Sequence, residues 1–170
     1  MAGTIKAKNI IANGINPIPS DLPKLNLPEY PFIYSNDDKN ILILDELRKK
    51  FLKLTPEEWI RQNFVKFLIN NLKYPASFIK IEQKIKLDNL TKRCDIIIYD
   101  KNLYPYMVVE CKNTKVEISQ MVINQIGVYN SKLKAPFIVI TNGNNHIIFN
   151  TDFDKGKIQI LQNFPEYKKF

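Results

Sequence analysis

The chain has 170 residues, 45% hydrophobic and 25% charged, which supplies one buried core and is too apolar for a disordered segment. Two cysteines and one histidine exclude a Cys2His2 zinc site and a disulfide framework, and the five glycines open no phosphate-cradling GxxxxGKS/T or GxGxxG loop. Lys and Arg outnumber Asp and Glu by 25 to 17, and a net charge of +8 favours a polyanionic partner, nucleic acid first, although Lys-, Asn- and Ile-rich coding in an AT-rich genome gives the same excess.

Five prolines crowd between Pro17 and Pro31, so residues 1–40 are expected to form an extended arm and residues 41–170 the folded domain. Ile41 to Leu44 reads as a short strand, followed by a basic stretch from Leu47 to Lys53. A strong helix start comes next: Thr55 as N-cap, Pro56 at the first helical position, and Glu57 and Glu58 in the first turn. The helix should reach about Leu72, where Tyr74-Pro75 stops it. Phe78 to Leu87 alternates, with Ile79, Ile81, Ile85 and Leu87 on one face and Lys80, Glu82, Lys84 and Lys86 on the other, as a half-exposed strand does. Asp95 to Tyr99 and Tyr106 to Lys112 are apolar on both faces, as central strands are. Glu117 to Leu133 predicts a second helix, and Pro136 to Thr141, His146 to Asn150 and Lys157 to Leu161 predict further strands. No apolar run approaches membrane-spanning length, so a soluble cytoplasmic protein without membrane contact is expected.

The informative stretch is CDIIIYDKNLYPYMVVECK, residues 94–112. A hairpin that sets Tyr99 opposite Tyr106 sets Asp95 opposite Glu110, with Lys112 on the same face, and Cys94 opposite Cys111 on the face behind. Opposed carboxylates on central strands need neutralising, and an oxygen-ligated divalent cation such as Mg2+, with Mn2+ as a substitute, does this. A plain Asp–Glu–Lys salt-bridge cluster is the alternative. Phosphodiester hydrolysis gives the set a meaning: Asp95, Glu110 and the Cys111 carbonyl as metal ligands, Lys112 beside the attacking water. On the first helix, Glu57 and Arg61 fall near the centre of the face made by Ile60, Phe64, Phe67, Leu68 and Leu72, whereas Glu58 lies round the side; Glu57 is therefore preferred as a site residue. On the second helix, Gln125 and Tyr129 fall on the apolar face of Ile118, Val122, Ile126 and Leu133. His146 reads as a packing or surface residue, and the Asn142-Gly143 turn as an ordinary loop whose amides could otherwise approach a phosphate.

Asp95 followed by Glu110-Cys111-Lys112, after a helix bearing Glu57 and Glu58 and before Gln125-Ile-Gly-Val-Tyr129, resembles the PD-(D/E)XK nuclease superfamily. The set TPEEWIRQNFVKFL, LTKRCDIIIYD, MVVECK, the QxxxY element and ITNG is similar to the N-terminal nuclease domain of type I restriction enzyme R subunits. The resemblance implies an α/β (α+β) restriction-endonuclease-like fold, a four-stranded mixed core sheet flanked by helices, and magnesium-dependent cleavage of DNA in restriction or repair. It departs in having Cys94 where the superfamily name has proline. R-subunit relatives also carry a helicase motor, so translocation is expected from a separate motor or specificity subunit. The competing expectation is a catalytically silent DNA-binding or assembly module on the same fold.

Overall fold

Helix α1 (Pro56–Asn70) starts as its local chemistry dictates, with the Glu58 N–H donating to the Thr55 hydroxyl at 3.1 Å and Pro56 in the first turn. In the computed structural model, which describes residues 9–10, 22–87 and 90–167, this helix lies between two sheets. The smaller is an antiparallel meander of β1 (Asn9–Ile10), β2 (Tyr34–Asn36), β3 (Ile41–Asp45) and β4 (Lys50–Lys53). The larger contains β5 (Ile79–Leu87), β6 (Leu90–Tyr99), β7 (Pro105–Cys111), β8 (Phe137–Thr141), β9 (His146–Asp152) and β10 (Lys157–Leu161), side by side in that order. Only β7 and β8 run parallel, and helix α2 (Gln120–Leu133) makes the crossover that a parallel pair requires. The expected mixed sheet flanked by helices is therefore present, with β9 and β10 extending a four-stranded core to six.

Side-chain alternation divides the core. Ile96, Ile98, Met107 and Val109 face α1 and pack on Ile60, Phe64 and Leu68. Ile97, Val108, Ile138 and Ile140 face α2 and pack on Val122 and Ile126. A third cluster, Phe32, Tyr34, Ile43 and Trp59, fills the space between the small sheet and the far side of α1. The expected extended arm thus contributes two strands, β1 and β2, and core residues before Ile41; its portion in residues 1–21, apart from Asn9–Ile10, lies outside the described residues.

From residue 22 the proline-rich stretch runs without regular structure across α1. The Trp59 indole donates to the Pro23 carbonyl at 3.1 Å, and the Asn26 N–H donates to the Gly143 carbonyl at 2.8 Å. Gly143 has φ +84°, and a Cβ there would come within 2.6 Å of Leu25, so the turn needs glycine to receive the strap. The turn's own amides are used internally: Gly143 donates to the Thr141 hydroxyl, and Asn144 and Asn145 donate to the Asn142 side chain. His146 packs, as expected, against Phe64 and Phe164 with Nδ1 at 2.8 Å from the Thr141 hydroxyl, and burial holds its pKa below the usual histidine value.

The β6–β7 register has Ile96 opposite Val109, Ile97 opposite Val108 and Ile98 opposite Met107, as expected. It slips by one at Tyr99, which faces Pro105 rather than Tyr106. The cause is local: the Asp100 carboxylate accepts from the Asn102 and Tyr104 amides at 2.9 and 2.8 Å, tightening the turn so that Pro105 joins the strand. Among the described residues no helix is long and apolar enough to cross a membrane.

Candidate active site

The site forms where β6 stops following its neighbours. On the β7 side the ladder ends at Ile96–Val109. On the β5 side Ile81 pairs with Ile96 and Gln83 with Cys94, but Glu82 and Asp95 between them do not pair. Glu82 has φ +51°, a left-handed conformation unusual for a strand residue. Both strands thus spend one residue outside the pleat, and the faces exchange: Ile81 and Ile96 pack toward α1, whereas Cys94 and Ile85 pack toward α2.

This irregularity aims Asp95. Its Oδ2 accepts the Cys111 N–H at 2.8 Å, a bond that a regular ladder would give to a backbone carbonyl, and its Oδ1 accepts from Arg61 Nη2 at 2.8 Å. It also overturns the expected Cys94–Cys111 pair, since Cys94 belongs to the α2-side core and Cys111 to the α1-side core. Burial pushes both thiols well above the usual cysteine value, assisted by the nearby Asp95 and Glu110 charges, so neither is a ready nucleophile.

Glu110, next to the last residue of β7, is almost fully buried, at 7% exposure. One carboxylate oxygen, Oε1, accepts from Lys112 Nζ at 2.7 Å; Oε2 is buried and has no hydrogen-bond partner among the described residues. Burial raises the Glu110 pKa, Asp95 raises it further, and Lys112 and Arg61 only partly offset them. Asp95, Glu110, Cys111, Lys112, Gln125 and Glu57 all border one open cavity of about 530 Å³. The sequence-predicted residues are therefore brought together, with Gln125 exposed on the rim; the side chain of Tyr129 lies outside the described residues.

The two helix glutamates are placed opposite to expectation. Glu57 is exposed on the rim, whereas Glu58 is buried, its carboxylate bonded to Arg61 and to Gln62 Nε2 at 2.8 Å, with Arg48 at 3.6 Å. A single inward stripe centred on Glu57 would hold for a helix covered by one sheet only. Because a second sheet covers its other side, residues 58 to 65 are all buried.

Two residues not singled out from the sequence, Arg48 and Glu82, complete the electrostatics together with Arg61. Arg48, in the β3–β4 turn, is fixed by Asp45, whose carboxylate accepts the Leu47 and Arg48 amides and the Arg48 Nε. Arg48 then reaches the Glu82 carboxylate, which also has Arg61 at 3.3 Å and Arg93 at 3.4 Å. Burial works against the Glu82 charge, but the Arg48 bond and the three arginine charges prevail and hold its pKa below the usual value. Arg61 is buried, which disfavours its charge, but Asp95 and Glu58 more than compensate and keep it protonated. Arg48 is the one arginine in a lysine-rich run and Glu82 the one acid in IKIEQKIKL. Those were the available signals, and neither names a partner.

Residues 56–165, well over half of the chain, match the family model described as the type I restriction enzyme R protein N terminus (HSDR_N). The chain belongs to this family. Among solved structures, a fragment described as an HsdR subunit of a type I restriction enzyme from Vibrio vulnificus YJ016 is 26% identical, with a TM-score of 0.39. The similarity covers 52% of this chain and 19% of that one, so the chain corresponds to about a fifth of that relative's length. No curated protein matches.

Proposed function

We propose that this R-subunit N-terminal-family chain is a magnesium-dependent deoxyribonuclease of the PD-(D/E)XK kind, hydrolysing phosphodiester bonds of DNA in a restriction setting. The observation that carries the reading is Glu110 Oε2, a buried carboxylate oxygen with no partner among the described residues, in the cavity that Asp95 borders and beside Lys112. A buried acceptor left open invites a cation.

The donor set fits Mg2+, with Mn2+ as a substitute. Asp95, Glu110 and the Cys111 carbonyl are hard oxygen donors, and Mg2+ characteristically binds one or two carboxylates and keeps several waters. Among the described residues no three His, Cys, Asp or Glu side chains converge as a ready-made metal cage. When bound, the ion supplies polarisation of the phosphate and a water of lowered pKa. The protein's own groups do the rest. Lys112 anchors Glu110 and offers an ammonium to the developing oxyanion. Arg61 and the Cys111 amide fix the Asp95 carboxylate from both oxygens. Gln125 stands on the rim where a substrate would enter, and the QxxxY resemblance assigns Tyr129 a role in the same reaction.

Cleavage and magnesium binding should be measured on linear duplex DNA with wild type, Asp95→Asn, Glu110→Gln and Lys112→Ala. The first two variants should lose both metal binding and cleavage while remaining folded. Lys112→Ala should lose on the order of 10²- to 10³-fold in rate. Because Glu110 titrates above an ordinary glutamate and must be ionised to bind a cation, magnesium binding should weaken on acidification before the pH reaches 4.5. Equal magnesium binding by wild type and both carboxylate variants would overturn the assignment.

A second reading, a silent DNA-binding or assembly module, is favoured by one observation: both Asp95 oxygens already have protein partners. DNA binding without magnesium-dependent cleavage in the same assay would select it. Within a restriction system the partners would be DNA and a separate motor or specificity subunit.

A further inference from the structure

We propose that the outer half of the β5–β6 hairpin, on its α1-side face, is the track that holds the phosphate backbone of the nucleic acid entering the site. The inference rests on the nuclease reading and adds to it a surface and a direction of approach.

Past Ile96 the hairpin continues without β7 as a ladder partner, while β5 and β6 remain paired from Gln83–Cys94 to Leu87–Leu90. Its two faces are unlike. One packs Ile85 and Cys94 into the core cluster of Val122 and Ile126, against α2, with Lys92, opposite Ile85, exposed beside them. The other carries Lys84 directly opposite Arg93 and Lys86 directly opposite Thr91, all exposed. Like charges directly opposite on a strand pair are destabilising. Among the described residues no carboxylate forms an ion pair with Lys84 or Lys86, and the exposed Arg93 has only Glu82, at 3.4 Å. Exposed lysines also protect an edge strand such as β5, but the directly opposed Lys84–Arg93 pair costs repulsion that a row of phosphates would compensate.

The row also leads to the right place. Arg93 is on the wall of the carboxylate cavity, so the line Lys86, Lys84, Arg93 runs from the hairpin end to Asp95 and Glu110. Lys53 of β4, also exposed, borders the same cavity. A cavity that holds carboxylates and is bordered by exposed cations suits a polyanion whose phosphates rest on the cations while one is presented to the carboxylates. The exchange of faces at Glu82 and Asp95 produces this geometry: the pleat that buries Ile81 and Ile96 under α1 turns Lys84 and Arg93 to that same side farther out.

The test is the salt dependence of binding to fluorescent duplex DNA, single-stranded DNA and duplex RNA of equal length in metal-free buffer. Wild type is compared with K84Q/K86Q and with a charge-matched control, K155Q/K157Q, at the distant β9–β10 turn, alongside cleavage of duplex DNA with magnesium. Glutamine keeps most of the side chain at exposed positions, and thermal melts verify the fold. K84Q/K86Q should lower the slope of log K against log salt by about 2 on duplex DNA, the loss of two phosphate contacts, and the control should leave it unchanged. A loss on all three nucleic acids confirms a backbone track. Equal slopes for K84Q/K86Q and the control, with wild type still binding and cleaving, overturn the track but not the nuclease. Binding without cleavage by wild type removes the nuclease reading while the slope difference still supports the track. No nucleic-acid binding by wild type overturns both.

Discussion

The two helices, of 15 and 14 residues, both cover the six-stranded sheet, yet they are built differently. α1 buries residues 58 to 65 and 68, including Glu58, Arg61, Gln62 and Asn63, because a sheet lies on each side of it. α2 buries a single stripe that includes Val122, Ile126 and Asn130, and exposes Met121 and Val128. A helix with one covered face can leave its charges in water. One enclosed on both sides must pair them, and on α1 that pairing has become the frame of a site.

Removing the central cation should break the contrast most sharply. Arg61→Leu leaves Glu58, Glu82 and Asp95 without their shared partner and should cost about 3–5 kcal/mol in urea unfolding. A stabilised variant would show that the buried charges do not depend on it. Acid should act on the same network. Glu82 is held below its ordinary value of 4.5, so its contribution is complete above that pH and is lost as pH falls through the lower folded value. Glu82→Gln should remove that part of the acid dependence in a pH series of melts; an unchanged profile would exclude Glu82 as its source.

On α2 the expected effects are those of ordinary packing. Ile126→Ala, at a fully buried position, should cost about 2–5 kcal/mol. Met121→Ala, at 78% exposure, should stay within about 0.5 kcal/mol. Similar costs would mean that α2 is not packed as a one-faced helix. The caps give the smallest and most specific difference. Thr55→Ala should cost about 1 kcal/mol, because its hydroxyl accepts the Glu58 amide. Ser119→Ala should cost only a few tenths, since the Ser119 side chain makes no capping bond. The far end of α2 depends instead on Asn130, whose side chain bonds both the amide and the carbonyl of Ala135.

Most elements were legible because their signals are local. The cap and proline that begin α1, the period-2 runs of β5 to β7, and the Tyr74-Pro75 stop act over a few residues and are read directly. The register of Ile96 to Ile98 against Val109 to Met107 was legible too, since two apolar strands joined by a short turn have few ways to pair. Its failure at Tyr99 came from the Asp100 turn, which pulls Pro105 into the strand.

The sequence by itself determined which chemistry is present: Asp95, the Glu110-Cys111-Lys112 run and Gln125, carried on elements whose order brings them to one cavity. Tertiary structure alone decided how those groups are held. That Glu58 rather than Glu57 turns inward depends on a second sheet covering α1. That Asp95 leaves the ladder to meet Arg61, and that Cys94 and Cys111 part into separate cores, depends on the paired irregularity with Glu82. Arg48 joins the network from a turn 34 residues before Glu82. Each of these is settled by a partner far along the chain, whose position is set by the packing of whole layers rather than by the preferences of its neighbours in sequence.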